Sequence, residues 1–343
     1  MTLDTKKLGK QTFRLTRSPS LIGWGSAAGR KEAAGPLGAC FDFTTENDAL
    51  GKKTWEQAET AFQKKALACA LERAGMKPDR LDALLAGDLL NQCIASAYHA
   101  RSLDVPFLGL YGACSTMAEG LALAAMLLDG GFGRYAAALT SSHYCSAERQ
   151  YRTPLEYGGQ KPPTAQWTAT GSGAVILAAE GHGPRVTHVT LGKVTDKGIT
   201  DVGNMGAAMA PAAYDTLRAH FSDTGRGPED YDRIVTGDLG ALGREIVTDF
   251  FRQDGMDLSS VYADCGVLLF DPASQDVHAG GSGSGCSALV LTGCLLREME
   301  AGRLDRLLFC GTGALHSPTS AMQGESIPGV CHAVAIEYQE EAP

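Results

Sequence analysis

The chain has 343 residues, of which 44% are hydrophobic and 20% are charged, which is typical of a globular protein. Its 39 acidic and 30 basic side chains give a formal net charge of −9, and no Lys/Arg-rich run occurs. Because binding nucleic acid requires a basic surface that neutralises phosphates, we expect no nucleic-acid partner. The longest apolar run, residues 121–128, is much shorter than the roughly 20 residues of a membrane-spanning helix, so we expect a soluble or peripheral protein.

The ten cysteines form no C-x-x-C pair and do not cluster with histidines at zinc-binding spacing. We therefore expect reduced, mostly buried thiols, with no metal site and no cofactor.

Predicted helices and strands alternate through the first half of the chain. Apolar residues recur at helical spacing over residues 54–75, and Gly75 is placed to end that helix. Further elements are predicted in this order: a strand at 81–86, a buried strand at 107–112, a helix at 116–128 and a strand at 135–139.

The second half repeats this pattern. A frame of Asp-x-apolar-apolar-x-Gly-Asp-Leu occurs at residues 82–89 and again at 232–239, and a Gly-(Ala)-Cys-Ser segment opens a predicted helix at 112–115 and at 285–287. Two motifs that recur in the same order indicate a duplicated unit.

Strands that alternate with helices predict an α/β protein with mostly parallel sheets. We expect an N-terminal half, residues 1–183, and a C-terminal half, residues 184–343, joined near residues 181–184. A site is expected where the carboxyl ends of the strands meet.

Cys114 is the strongest candidate for chemistry. It follows a predicted strand and lies at the first turn of a helix, where the helix N-terminus should lower the pKa of the thiol. The alternative is a small buried thiol that fits a tight turn. Cys286 occupies the equivalent place in the second half. The glycine-rich loop before it, which includes Gly281 and Ser282, could bring backbone N–H groups to an anion or simply pack tightly.

Four polar side chains follow predicted strands. His143 and His316 could act as a base for a cysteine or could be hydrogen-bonded structural residues. Asp88 and Asp238 end the two repeated strands and could be ligand contacts or turn residues. An aspartate near Cys114 would oppose formation of the thiolate. His182, His188 and His220 are interpreted as loop or surface residues.

Several of these features together resemble the thiolase-like superfamily. They are the Gly-Ala-Cys-Ser frame at 112–115 opening a helix, the Gly-Ser-Gly-Ala-Val strand at 171–175 and the duplicated halves. Within it the chain is similar to the ketoacyl synthase III type, and most similar to a family of sporulation proteins. Five segments carry this closer resemblance: 54–59, 106–116, 234–240, 280–288 and 313–318.

The resemblance implies a five-layered α-β-α-β-α fold and a homodimer formed through the first half. It also implies that the protein binds dipicolinic acid, possibly as its calcium chelate, for uptake into the forespore. Membrane proteins of the same sporulation operon are the implied partners. The implied location is the cytoplasmic side of the forespore or spore inner membrane.

The condensing enzymes' cysteine corresponds to Cys114, but their other catalytic residues are missing. Gly237 and Asp238 stand where their first histidine is expected, and residues 278–281 read His-Ala-Gly-Gly where an asparagine is expected. Because losing one oxyanion donor alone costs roughly 2.7–4 kcal/mol, we expect little condensing activity.

Three hypotheses follow. The first is a non-catalytic binding protein in which Cys114 and the glycine loop contact dipicolinate. Its polar contacts would come from His143, Arg149, Lys161 or His316, and calcium could touch Asp88 or Asp238. The second is an acyltransferase that uses Cys114 with His143 or His316. The third is a structural adaptor in a membrane transport assembly, with its pocket filled by bulky side chains.

Overall fold

The structure is a computed structural model that describes residues 6–151 and 161–338. Within these residues the strands are β1 (Thr12–Arg14), β2 (Ser20–Ala28), β3 (Phe43–Thr44), β4 (Ala83–Gly87), β5 (Phe107–Gly109), β6 (Tyr135–Ser142), β7 (Trp167–Thr168), β8 (Gly171–Ala178), β9 (Arg185–Thr190), β10 (Arg233–Thr236), β11 (Tyr262–Asp264), β12 (Gly281–Ser282), β13 (Arg306–Ala314) and β14 (Gly329–Glu337).

The helices in the same residues are α1 (Arg30–Ala33), α2 (Trp55–Arg73), α3 (Ile94–Ala100), α4 (Thr116–Asp129), α5 (Tyr144–Tyr151), α6 (Met205–Thr224), α7 (Gly240–Gln253), α8 (Cys265–Leu269), α9 (Ser284–Val290), α10 (Leu296–Glu300) and α11 (Pro318–Met322). A π-helical turn, Leu291–Leu295, joins α9 to α10.

Strand order shows the duplication directly. In the first half the order is β5-β4-β6-β8-β2, and in the second it is β11-β10-β13-β14-β9. In both halves the first three strands are parallel to one another. The fourth strand pairs antiparallel with the third, and the fifth pairs antiparallel with the fourth. The two halves of this sheet meet through one residue pair, Ser20 with Arg185. The prediction of a duplicated α/β fold is confirmed.

Two helices lie between the halves and form the central layer. Helix α4 contacts β4 and β6 on one side and β13 and β14 on the other, while α9 packs against β6 and β8. Both helices are almost completely buried, as in Leu121 of α4 and Leu289 of α9, which are 0% exposed. The outer layers include α2 against β2 and β8, and α6 against β14. This stacking gives the five predicted layers.

The outer helices begin in equivalent ways. The side chain of Thr54 accepts a hydrogen bond from the backbone N–H of Gln57 at the start of α2, and Asn204 caps α6 in the same manner. As predicted, Gly75 follows α2 with a positive φ of 61°, a conformation that glycine adopts without strain.

Two predictions about burial were wrong. The strand expected at 107–112 is the short β5 at the sheet edge, and Leu108 on it is 47% exposed because no further strand covers it in the described residues. His188 and His220, interpreted as loop or surface residues, lie on β9 and α6 and are buried. Their rings pack edge to face, with centroids 6.4 Å apart.

No helix in residues 6–151 and 161–338 is both long enough and apolar enough to cross a bilayer.

Candidate functional site

A cavity of about 990 Å³ opens near the carboxyl ends of β6 and β13. Its polar lining includes Cys114, Tyr144, Glu148, Lys161 and Ser282. The apolar side chains at its rim are well exposed, with Val202 at 52% and Met322 at 76%. The cavity therefore joins a polar wall to an apolar rim.

Cys114 lies on a 3₁₀ turn, Ala113–Ser115, that connects the β5 segment to α4. The residue is partly exposed and contributes to the cavity wall. Its thiol faces the Asp238 carboxylate, and Ser282 and the backbone N–H of Gly283 lie next to it. The two halves of the chain therefore meet at this sulfur.

Asp238 follows β10 and is completely buried. Its carboxylate accepts hydrogen bonds from Ser282 Oγ at 3.0 Å, from Gly283 N at 3.0 Å and from Thr312 Oγ1 at 2.9 Å. Gly283 has a φ of 96°, so this amide reaches the carboxylate through a conformation that favours glycine. The glycine loop thus does bring an amide to an anion, and that anion is the protein's own Asp238.

This arrangement makes the thiol a poor nucleophile. Burial, and then the negative charge of Asp238 and its hydrogen bond, raise the pKa of Cys114 well above its ordinary value. The expectation of a lowered pKa at the helix N-terminus was wrong, because desolvation and the neighbouring carboxylate outweigh the helix dipole. Burial likewise raises the pKa of Asp238.

A second aspartate supports the first from behind. Asp264 accepts hydrogen bonds from Thr236 Oγ1 at 2.7 Å and from the backbone N–H groups of Leu239 and Gly240, both at 2.9 Å. Burial and the charge of Asp238 raise the pKa of Asp264 to about 7. Asp264 therefore fixes the chain segment that carries Asp238.

The polar wall of the cavity contains a stack of aromatic and cationic side chains. The rings of Tyr144 and Trp167 are nearly parallel, with centroids 3.9 Å apart. Lys161 Nζ lies 4.8 Å from the centroid of each ring and 3.4 Å from Glu148 Oε1. This wall offers a flat aromatic face beside one cation and one carboxylate.

The two candidate histidines differ in availability. His143 is buried and both ring nitrogens are used, because Nε2 lies 3.1 Å from the Asp48 carbonyl oxygen and Nδ1 accepts the Cys145 N–H. His316 lines the cavity, and its buried Nδ1 has no hydrogen-bond partner among the residues that the structure describes. Burial lowers the pKa of His316, which favours the neutral imidazole.

Other predicted site residues lie away from the cavity lining. Asp88 is buried and bonded to Ser96. Gly281 uses its carbonyl oxygen to accept from Gln166, and Cys286 is enclosed within α9. Arg149 forms an ion pair with Glu56 on the protein surface. The cavity therefore brings together Cys114, Ser282, His316 and Lys161, with Asp238 directly behind them.

The sequence interpretation missed most of the α5 wall. Tyr144 and Glu148 come after His143 and are four residues apart. This i, i+4 spacing places both side chains on one face of a helix that follows a strand end. That spacing could have identified the two residues from the sequence. No sequence pattern pointed to Gln166, although its Nε2 donates to the carbonyl oxygens of Asp238 and Gly281 at 2.6 and 2.7 Å.

Comparison with known proteins gives a consistent family. A family model described as Stage V sporulation protein AD matches residues 9–337. The chain is 47% identical over 332 residues to Stage V sporulation protein AD of Bacillus subtilis strain 168, an alignment that covers 97% of this chain and 98% of the relative.

Solved structures with the same fold include condensing enzymes. A 3-oxoacyl-[acyl-carrier-protein] synthase III from Aquifex aeolicus superposes with a TM-score of 0.58 at 12% identity, over 93% of this chain and all of the other. An OleA variant from Xanthomonas campestris gives a TM-score of 0.60 at 17% identity, over 96% of this chain and all of the other. At these identities the likeness shows a shared thiolase-like fold.

Proposed function

The chain belongs to the stage V sporulation protein AD family, and on that premise we propose that its cavity binds dipicolinic acid for uptake into the forespore and performs no acyl transfer. In this proposal the protein acts at the cytoplasmic side of the forespore inner membrane, with membrane proteins of the same operon as partners. The family relationship supports this role.

The observation that carries the proposal is the pairing of Cys114 with Asp238. A nucleophilic cysteine needs a nearby base that accepts its proton and a donor set that stabilises an oxyanion. Here the thiol lies beside a carboxylate whose charge opposes its ionisation, and the loop amide of Gly283 already binds that carboxylate. This arrangement supports a binding role over acyl transfer, because the cavity itself stays open.

The cavity suits a flat, anionic aromatic ligand. The Tyr144 ring offers a stacking surface, Lys161 offers a cation, and His316 offers an unpaired ring nitrogen. An open cavity of about 990 Å³ also supports binding over the adaptor hypothesis, which a pocket filled by bulky side chains would have favoured.

Charge balance favours the calcium chelate over the free dianion. Lys161 is paired with Glu148 in the wall, and Asp238 lies behind Cys114 and Ser282. Among the described lining residues, Lys161 is the one Lys or Arg side chain that would offset the repulsion between a free dianion and these carboxylates. A calcium ion held by dipicolinate would neutralise the ligand's charge and could face Glu148.

Titration calorimetry tests this function with dipicolinate, with and without equimolar calcium. We expect binding by the wild type, tighter with calcium, and a loss of tenfold or more in affinity for Lys161→Gln, because a charge-assisted contact contributes about 1.5–3 kcal/mol. Lys193→Gln is the matched control, since Lys193 pairs with Asp215 and neither residue lines the cavity. No heat of binding by the wild type would refute the proposal.

A cysteine-dependent acyltransferase is the second candidate, favoured by one observation. Cys114 and the unpaired His316 line the same cavity. Incubation with acyl-CoA followed by intact mass measurement tests it: an acyl adduct absent from Cys114→Ala would establish the enzyme, and an unmodified wild type would exclude that reaction with the acyl-CoA used.

We also propose a homodimer through the first half. Strand β5 ends the sheet, and Leu108 and Tyr111 beside it are 47% and 51% exposed. An uncovered edge of this kind pairs readily with another strand, and a second copy supplies one. Light scattering should give twice the chain mass for the wild type and the single-chain mass for Leu108→Lys. A monomeric wild type would refute the dimer.

A further inference from the structure

Trp167 lies directly behind the aromatic face of the cavity wall. Its ring stacks on the ring of Tyr144, with centroids 3.9 Å apart and an angle of 13° between the planes. Tyr144 lines the cavity, whereas Trp167 is not among the described residues that line it. Because Trp167 covers one face of Tyr144, a ligand can reach only the opposite face or the edge of that ring. Trp167 therefore acts on a ligand through Tyr144 rather than by contact.

The far face of the Trp167 ring is covered by a cation. Lys31 Nζ, on α1, lies 3.4 Å from the centroid of the Trp167 ring. An ammonium group and a stacked ring at such short distances cannot share one face, so Lys31 and Tyr144 lie on opposite faces of Trp167. The same ammonium group donates to the carbonyl oxygen of Asp276 at 2.8 Å. The Trp167 ring is therefore held between an anchored cation and the tyrosine ring.

The backbone of Trp167 is fixed as well. Strand β7 pairs in parallel with β12, and Trp167 lies opposite Gly281 in that pairing. The Trp167 N–H donates to the carbonyl oxygen of Gly280 at 2.8 Å, and the Ala169 N–H donates to that of Ser282 at 2.8 Å. The Trp167 side chain also packs against the main hydrophobic core. The indole ring is therefore a firm support, tied to the glycine loop beside Cys114.

Tyr144 is the first residue of α5, and its ring needs such a support to stay in one plane. The Tyr144 N–H donates to Thr170 Oγ1 at 3.0 Å, which fixes the backbone. The side chain can still turn about two torsions, and stacking on Trp167 restricts both of them. A ligand then meets a ring that already has one orientation, so binding bears little cost of ordering it.

We propose that Trp167 is a positioning residue that makes the cavity select flat aromatic anions, because it holds the Tyr144 ring in one plane on which such a ligand stacks. This inference rests on the proposed function and deepens it. A puckered ring with the same carboxylates keeps the charge contacts but loses most of the stacking contact. Trp167 should therefore set the preference between planar and puckered ligands rather than the strength of anion binding in general.

The affinity ratio of two probes measures this preference. Dipicolinate is planar, and cis-cyclohexane-1,3-dicarboxylate carries two carboxylates at the corresponding positions of a saturated, puckered ring. Without calcium both are dianions at neutral pH. In titration calorimetry the wild type should bind dipicolinate more tightly. In Trp167→Leu the affinity for dipicolinate should fall by about threefold to tenfold, as expected for one aromatic contact, while that for the saturated probe changes by less than about twofold.

A conservative variant and a matched control separate positioning from general damage. Trp167→Phe keeps a flat ring against Tyr144, so its affinity ratio should return to within about twofold of the wild type. Phe250→Leu is the control, since Phe250 is a half-buried aromatic residue paired with Tyr214, and neither is among the described lining residues. An unchanged ratio in Trp167→Leu, or an equal loss in Phe250→Leu, would overturn the proposal.

Lys31→Gln tests the support from the far side and decides the question if Trp167→Leu fails to fold. Without the ammonium group the Trp167 ring loses the contact on its far face, so the ratio should fall, by less than in Trp167→Leu. Removing a cation also weakens the attraction of any anion, but this acts equally on two dianions and cancels in the ratio. An unchanged ratio in Lys31→Gln would contradict the proposal.

NMR of protein labelled at its tyrosine rings tests the support without a ligand, with Tyr144→Phe to assign the signals. The ring current of Trp167 should move the Tyr144 signals upfield in the wild type, and Trp167→Leu should abolish this shift. Equal signals in the two proteins would overturn the proposal. If dipicolinate binds the wild type but the ratio does not depend on Trp167, the positioning role alone fails. If dipicolinate does not bind the wild type, the proposed function fails, and the ring signals still decide whether Trp167 holds Tyr144.

Discussion

Asp88 and Asp238 follow the equivalent strands β4 and β10, yet only Asp238 contacts side chains that line the cavity. Asp238 lies beside Cys114 and is bonded to the glycine loop of its own half, directly behind the cavity wall. Asp88 is enclosed by Ser96 and the Leu90 amide, neither of which lines the cavity. The duplication therefore repeats the backbone and the acidic residue, while the partners of the carboxylate differ between the halves.

Each aspartate also has a second buried acid beside it. Glu59 accompanies Asp88, and Asp264 accompanies Asp238, with pKa values raised to about 8 and about 7 respectively. In the first half Glu59 accepts a hydrogen bond from Ser146 on α5, a wall of the cavity. In the second half Asp264 accepts the N–H groups of Leu239 and Gly240, next to Asp238. Both halves therefore place a second buried acid where it bonds a segment near the site.

The largest expected difference between the aspartates concerns thiol reactivity. Asp238→Asn should speed alkylation of Cys114 by iodoacetamide at pH 8 by about tenfold or more, because removing the adjacent charge lowers the pKa of the thiol. Asp88→Asn is the matched control and should leave the Cys114 rate unchanged. The rate is measured by mass spectrometry of the Cys114 peptide, and equal rates in the two variants would contradict the assigned pairing.

The pH dependence of stability sharpens the comparison further. Burial depresses the pKa values of four histidines, to about 4 for His99, His188 and His332 and to about 3 for His220. Below the ordinary histidine pKa the unfolded chain therefore binds more protons than the folded chain does. Stability should therefore be lost as the pH falls from about 6.5 towards 4.

The raised carboxyl groups act in the opposite direction. Glu32, Glu59 and Asp264 stay protonated in the folded state, so their contribution is present at low pH and lost as the pH rises through about 7 to 8. The free energy of unfolding in urea should peak near pH 6.5. Glu59→Gln and Asp264→Asn should each reduce the decline above the peak, by up to about 1.4 kcal/mol per pH unit. Unaltered slopes in both variants would show that these acids do not titrate as assigned.

The smallest predicted effect compares the helix caps of the two halves. Thr54 caps α2 and Asn204 caps α6, each by accepting one backbone N–H. Thr54→Ala and Asn204→Ala should each lower the free energy of unfolding by about 1 kcal/mol in urea denaturation. A cost in one half only would show that the equivalent caps are not equivalent in energy.

The repeating pattern of the sequence predicted the architecture well, because strand and helix periodicities depend on local hydrophobic spacing. The helix over 116–128, the cap at Gly75 and the repeated Gly-Asp-Leu ends all occur where expected. Local spacing also placed Cys114 beside a strand end. These features need no knowledge of long-range contacts.

The charges and pKa values of the site could not be predicted from local sequence spacing. The raised pKa of Cys114 depends on Asp238, 124 positions later in the chain, and on burial that only the assembled halves create. Gln166 joins Asp238 to Gly281 across three separate segments. The edge position of β5 likewise follows from strand order, which hydrophobic spacing does not encode.

A crystal soaked with calcium dipicolinate tests the central claim most directly, that this cavity holds a ligand and performs no chemistry. The account predicts flat density against the Tyr144 ring, near Lys161 and Cys114, with the sulfur unmodified. Density for the ligand elsewhere on the protein, with an empty cavity, would contradict it.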